Sequence, residues 1–250
     1  MKYAIIGFGN LGRAFASGLL NSGSAYPDDI LVCEKAPDAR ALAEKEHFTA
    51  FPPEEINAAI DKSDVICLTV KGYVFEELSA SIDKSRLSGK TVVSFMAGET
   101  FEKIYSLIGK VDLVRAMPSL AISFCDGIIA YTKAPPAIAE AFHRLGYAFE
   151  TDPDNIENVM AFSACGLGYA AYLIDAFAVA GEEMGFSIEQ SAHIAKLTFK
   201  NAVDRGGFKD TVKAVATPGG ATEQGIGYMD QCDVHGIVVS AVRKAYERMT

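Results

Sequence analysis

Apolar and polar positions follow two rhythms along this chain, and the rhythm changes once. Up to about residue 152, short apolar runs bounded by turn residues recur with helical stretches between them. The runs are KYAII (2–6), DILVCE (29–34), DVICLTV (64–70), TVVSFM (91–96), DLVRAM (112–117), GIIAYT (127–132) and YAFET (147–151). Helices are predicted at 10–20, 37–46, 53–60, 75–82, 101–108 and 136–145, with Pro37 suited to a first helical turn. Strands alternating with helices of this length predict a parallel, doubly wound sheet. Runs that are apolar throughout predict a sheet covered on both faces. After Asp152 no convincing period-two run remains, and helices are predicted at 154–183, 188–204, 208–215, 222–229 and 234–248. Asp154 followed by Glu157 has the spacing of a capping box. The fold class is therefore read as α/β: a doubly wound domain over 1–152, then an all-helical domain over 153–250, with Pro153 at the boundary.

One stretch is apolar beyond what a single helix face needs. VMAFSACGLGYAAYLIDAFAVAG, 159–181, is long enough to span a bilayer. It carries Asp175 and is rich in Ala and Gly, so a buried soluble helix is expected and a membrane span is not. In a chain of 250 residues a second subunit is a natural source of cover. Half the residues are hydrophobic and the formal net charge is −9, which fits a globular protein and disfavours a nucleic-acid partner. Five cysteines, an odd number without CxxC spacing, predict neither a disulfide framework nor a zinc site. Mostly buried free thiols in a reducing, cytoplasmic compartment are expected. The first apolar run is short and broken at once by glycine, unlike a signal peptide. The four histidines form no metal-ligand spacing.

The chemistry-bearing signal starts where the first strand ends. Gly7-Phe8-Gly9-Asn10-Leu11-Gly12 places three glycines on GxGxxG spacing between a strand and a helix. Gly7 permits the tight turn, Gly9 leaves room for a pyrophosphate, and Gly12 lets the helix pack on the sheet. Free N–H groups at the start of the helix then face an anion. The context assigns a Rossmann-type dinucleotide site, with a plain turn as the bland alternative. Glu34 follows Gly12 by 22 residues, at the end of the second strand, where an acid bonds the adenosine ribose of NAD and repels a 2'-phosphate. Lys35 beside it acts the other way. Absence of an arginine directly after this strand adds to a lean toward NADH within an NAD(P)H site. Further loops at strand ends offer Val70 and Lys71, Ala97 and Gly98, and Met117 and Pro118.

A second constellation lies in the helical half. Thr217-Pro218-Gly219-Gly220-Ala221-Thr222 breaks one helix and begins another. Successive N–H groups there form either an anion nest, with the Thr222 hydroxyl beside it, or an ordinary capped helix–helix turn. Physics alone leaves the two even.

GFGNLGRA after the first strand, RAMP in the middle and KDTVKAVATPGGATEQG near the end occur in an order and spacing that resemble the pyrroline-5-carboxylate reductase family along nearly the whole chain. The resemblance implies hydride transfer from NAD(P)H to the C=N bond of 1-pyrroline-5-carboxylate, a small cyclic imine carboxylate, giving L-proline. It implies a helical domain interlocked with a partner subunit, in homodimers that assemble further into decamers. It further implies that Gly219, Gly220 and Ala221 hold the substrate and that Thr222 bonds the ring nitrogen. Ser163 and Tyr169 would lie on the substrate side. Val70 and Lys71 match a Val-Lys-Pro loop over the cofactor, with Gly72 in place of the proline. Ser119 and Leu120 replace Asn-Thr after Met117-Pro118, and the stretch from Ser163 to Tyr169 lacks the family's proline. These departures leave two alternatives beside proline formation: reduction of another small cyclic imine acid, and a cofactor-binding accessory protein without catalysis.

Overall fold

The computed structural model describes residues Met1–Met249, and these divide into two compact units. The first comprises Met1–Ala164 with the chain's last residues from Tyr246, and the second comprises Cys165–Ala245.

In the first unit the strands are β1 (Tyr3–Ile6), β2 (Ile30–Cys33), β3 (Thr49–Phe51), β4 (Val65–Leu68), β5 (Thr91–Ser94), β6 (Asp112–Pro118), β7 (Gly127–Tyr131) and β8 (Gly146–Glu150). They form one eight-stranded sheet in the order β3-β2-β1-β4-β5-β6-β7-β8. Its helices are α1 (Asn10–Asn21), α2 (Pro37–Lys45), α3 (Ile56–Asp61), α4 (Gly72–Ser79), α5 (Phe101–Ile108), α6 (Pro136–Arg144) and the short α7 (Ile156–Val159). A π-helical turn, Met160–Ala164, follows α7.

Strand residues point alternately to the two faces, so each run feeds two cores. Tyr3, Ile5, Ile30, Val32, Val93 and Val114 join α1 and α6 on one face, through Phe15, Leu19 and Phe142. Ala4, Ile6, Leu31, Ile66, Leu68 and Val92 join α3, α4 and α5 on the other, through Ile60, Phe75 and Ile104. Each large side chain so buried contributes about 1.5–3 kcal/mol.

Three details depart from the expected pattern. β3, an edge strand of three residues with one buried side chain, was not anticipated. The sheet is not wholly parallel, because β7 runs antiparallel to β6, with Met117 opposite Ala130 and Pro118 opposite Ile129. Asp154 and Glu157 do not form a capping box, since the residue before α7 is Asn155 and it makes no side-chain cap. The Glu157 side chain is engaged with Arg115 instead.

The second unit contains α8 (Cys165–Glu183), α9 (Ile188–Arg205), α10 (Phe208–Val215), α11 (Ala221–Gln231) and most of α12 (Val234–Met249). A capping box between Ser187 and Gln190 starts α9. Phe177 of α8 and Phe199 of α9 meet edge to face, their ring centroids 5.8 Å apart.

Candidate functional site

The turn between β1 and α1 is built around its glycines. Gly7 has φ +101°, and a Cβ there would stand 2.7 Å from Val70 Cγ1. A Cβ at Gly12 would overlap the Gly7 carbonyl oxygen, so α1 rests directly on the turn. Gly9 faces open space. Thr69 fixes the turn from below: its hydroxyl donates to the carbonyls of Ile6, at 3.0 Å, and Gly7, at 2.7 Å. No acidic side chain lies in the first turn of α1, so nothing of the helix's own competes with an anion for its free N–H groups.

This turn opens onto a cleft of about 780 Å³ at the carboxyl ends of the strands. Gly7, Gly9, Asn10, Leu11, Glu34, Lys35, Val70, Lys71 and Ala97 line it. Ligands of open α/β sheets bind on this edge, at the switch point between β1 and β4. The residues fit a dinucleotide: an open glycine at a helix start, an acid at the end of β2, and small residues beyond β5. The Glu34 carboxylate accepts the N–H groups of Phe8, at 2.7 Å, and Ala36, at 2.9 Å, which ties the second strand's exit to the glycine turn. Arg40 on α2 reaches back to the same exit, and its guanidinium donates to the Glu34 and Lys35 carbonyls, both at 2.8 Å. An arginine is thus at hand in space although none directly follows β2 in the sequence.

Five of the anticipated cofactor residues lie off the cleft wall. The Phe8 side chain is buried in the core, Gly12 is covered by the turn, and Gly98 spends its N–H on Glu157. Met117 and Pro118 are not loop residues. They are buried in β6, because pairing with β7 prolongs that strand past the run read as its end. Ser119 extends the pairing by exchanging two hydrogen bonds with the Ile128 backbone. Leu120 just beyond does line the cleft, as do Thr69, Tyr73 and Met160, none of which has a sequence signal of its own. At Gly72 the Glu99 carboxylate lies in the space a Cβ would take, a clash that this flexible side chain can relieve by moving.

In the second unit, Pro218 and Gly219 turn the chain into α11. Gly219 has φ +74°, and a Cβ on Gly220 would meet Thr217 Oγ1 at 2.7 Å. Ala221 and Thr222 are exposed in the first turn of α11. Two N–H groups of this turn are already used, since Gly219 donates to the Glu223 carboxylate at 2.7 Å and Gly220 to the Thr217 carbonyl at 2.9 Å. Tyr169 on α8 donates to the Ala241 carbonyl at 3.4 Å. Its phenol is held above the ordinary range by desolvation, then by neighbouring Cys165, so it is a neutral donor. Ser163 belongs to the π turn of the first unit, where its hydroxyl donates to the Val159 carbonyl at 2.8 Å.

Comparison with known proteins follows the same two parts. Residues 153–250 match the family described as pyrroline-5-carboxylate reductase dimerisation, and residues 2–98 match that described as NADP oxidoreductase, coenzyme F420-dependent. The chain is 28% identical to a pyrroline-5-carboxylate reductase of Aquifex aeolicus, covering 99% of this chain and 96% of the relative. It is 26% identical to that of Escherichia coli over the same shares. Among solved structures, a pyrroline carboxylate reductase of Plasmodium falciparum with NADP bound shares the fold, with a TM-score of 0.90 at 21% identity over 100% of this chain and 97% of that one. Its helical half thus matches the dimerisation family, and relatives of one name run end to end, so the whole chain is similar to pyrroline-5-carboxylate reductases.

Proposed function

We propose that this protein reduces 1-pyrroline-5-carboxylate to L-proline with NAD(P)H. The observation that carries the reading is the pairing, in one chain, of a glycine-turn cleft with a Pro-Gly-Gly turn that opens a helix at Thr222. When bound, the nicotinamide supplies the hydride. The protein's own task is to orient, because a ring imine beside a carboxylate takes up a proton readily and needs no strong acid from the enzyme. Gly219, Gly220 and Ala221 form the turn that holds the substrate, with the Ala221 and Thr222 N–H groups at the open start of α11 facing its carboxylate. Thr222 offers a neutral hydroxyl to the ring nitrogen, which locates it without opposing an iminium charge. Ser163 and Tyr169 complete the substrate side. Residues 1–152 serve as the cofactor domain and 153–250 as the substrate and dimerisation domain, in a soluble, cytoplasmic homo-oligomer. The test is loss of 340 nm absorbance when the imine is added with NADH or NADPH; silence with both at high enzyme concentration overturns the reading. A panel of ring sizes separates proline formation from reduction of a different cyclic imine acid, the alternative favoured by the Gly166-Leu167-Gly168 stretch.

For the cofactor, the reading favours NADH. Glu34 on the cleft wall meets ribose hydroxyls and repels a 2'-phosphate, while the Arg40 guanidinium is drawn onto two carbonyls. Glu34→Ser is expected to shift the NADH-to-NADPH ratio of kcat/KM toward NADPH by about tenfold. An unchanged ratio removes Glu34 from this role.

A further inference from the structure

Arg115 projects from β6 into the interior, its side chain 4% exposed, and meets Glu157 of α7, which is 12% exposed. One Glu157 oxygen, Oε1, accepts from the Arg115 guanidinium and also from the Gly98 N–H, at 3.3 Å. The same guanidinium nitrogen, Nη2, lies 3.5 Å from the Met96 carbonyl. Arg115 Nε is buried without a partner. The backbone holds Arg115 in place through its N–H, which donates to Thr132 Oγ1 at 2.9 Å. A single ion pair therefore joins the exit of β5, the middle of β6 and the start of α7.

Two cleft residues flank this knot. Ala97 lies between Met96 and Gly98, both of which the pair contacts, and Met160 lies three residues beyond Glu157 at the start of the π turn. Gly98 has φ +71°, and a Cβ there would stand 2.8 Å from the Met249 carbonyl, so the peptide after Ala97 is confined from the other side as well. The glycine turn and Glu34 lie toward β1 and β2, which assigns the adenosine half of a dinucleotide to that side of the switch point. The β5 side is left for the nicotinamide. Neither member of the pair lines the cleft.

We propose that Arg115 and Glu157 are positioning residues that set Ala97 and Met160 at the nicotinamide end of the cleft, without touching the cofactor. Stability alone does not account for such a pair. Desolvation offsets much of the attraction between buried charges, and an apolar pair of similar volume is often as stable. What the pair supplies is direction: a carboxylate that can hold a cation and a backbone N–H together fixes three segments in one arrangement. The inference rests on the cleft being a dinucleotide site, and its test needs no imine.

The experiment uses the full-length protein, with Glu157→Gln, which keeps an acceptor and removes the charge, and with the double variant Arg115→Met/Glu157→Leu, which removes both charges. Three quantities are measured: the melting temperature, affinity for ADP-ribose against NADH, and the fluorescence of bound NADH. The double variant is expected to melt within a few degrees of the parent and to bind ADP-ribose within about twofold. It should bind NADH about tenfold more weakly, with a changed nicotinamide emission, and any hydride transfer should fall about 10- to 100-fold. In NADH affinity and emission Glu157→Gln should fall between parent and double variant, while it melts below both because the Arg115 charge is left buried without its counter-charge. Equal losses for ADP-ribose and NADH overturn the proposal, as do unchanged NADH affinity and emission. Failure of both variants to fold overturns it too, by making the pair structural. A parent protein silent toward imines but showing the split between ADP-ribose and NADH overturns the proposed reaction and leaves this inference standing.

Discussion

The two units solve the problem of apolar surface in opposite ways. In the first, both faces of the sheet are covered by the unit's own helices, and Tyr3, Phe8, Phe15, Phe75 and Phe142 are almost fully buried. In the second, only Ala178, Ser191 and Ala195 are buried among residues 165–245. Tyr172 is 73% exposed, Met184 80% and Ile188 74%. Within the helical run Pro153–Glu183 an 18-residue window has mean hydropathy 1.4, and the run is long and apolar enough by length and composition to cross a membrane, yet only 6% of that window is buried within the chain. A folded unit this apolar and this open is half of a core. Matching of 153–250 to a dimerisation family identifies the missing half as another copy. The first unit draws its stability from its own sequence, whereas that of the second is tied to protomer concentration.

The comparison breaks most sharply at Tyr172. A charge at this position costs little in a chain where the ring already meets water. Buried in a two-fold interface it is counted twice, at about 2 kcal/mol or more per copy. Tyr172→Asp is therefore expected to weaken the dimer about 1,000-fold. Sedimentation across a dilution series checks this, with ADP-ribose binding as the measure that the first unit stays intact. A dimer as tight as the parent's would mean that α8 is covered by something else. Thr222→Ala tests the division of labour next. Turnover should fall about 100-fold while NADH affinity stays within about twofold, because the hydroxyl is asked to place substrate and not cofactor. Parallel losses in both would make the α11 turn a structural element only.

How far the sequence could be read follows from the range of each interaction. The glycine turn was legible because only glycine satisfies a backbone with φ +101° at Gly7 and a carbonyl beneath Gly12. The central strands were legible because burial on both faces makes every position apolar. β3 was not, since an edge strand of three residues with one buried side chain has no pattern to show. The reversal of β7 was not either, because an apolar run reads the same in either direction. Glu157 is the most instructive miss: three residues after Asp154, local spacing pointed to a helix cap. Its partner, Arg115, lies 42 positions away, and that contact exists only once the sheet is assembled. Tyr73 and Met160 reach the cleft wall by the same route, through topology and not spacing.

The smallest expected effect reads both units through their thiols. Contrary to the expectation of mostly buried cysteines, only Cys33 and Cys67 are buried, Cys125 and Cys165 are half-buried, and Cys232 is exposed. Burial first, then the neighbouring Glu34 and Glu54 carboxylates, push the Cys33 thiol up to about 12, and burial alone raises that of Cys67. The thiolate is the reactive form, so at pH 8 both thiols stay protonated as well as shielded. They should resist a disulfide reagent until the first unit opens, at a rate independent of protein concentration. Cys232 is accessible in the chain itself and should label promptly in dilute solution, slowing by about tenfold on concentration if a second copy covers α11. Equal labelling of Cys33 and Cys232, or Cys33 labelling that slows with protein concentration, would show that the first unit is not self-sufficient. The contrast between the units would then be one of degree.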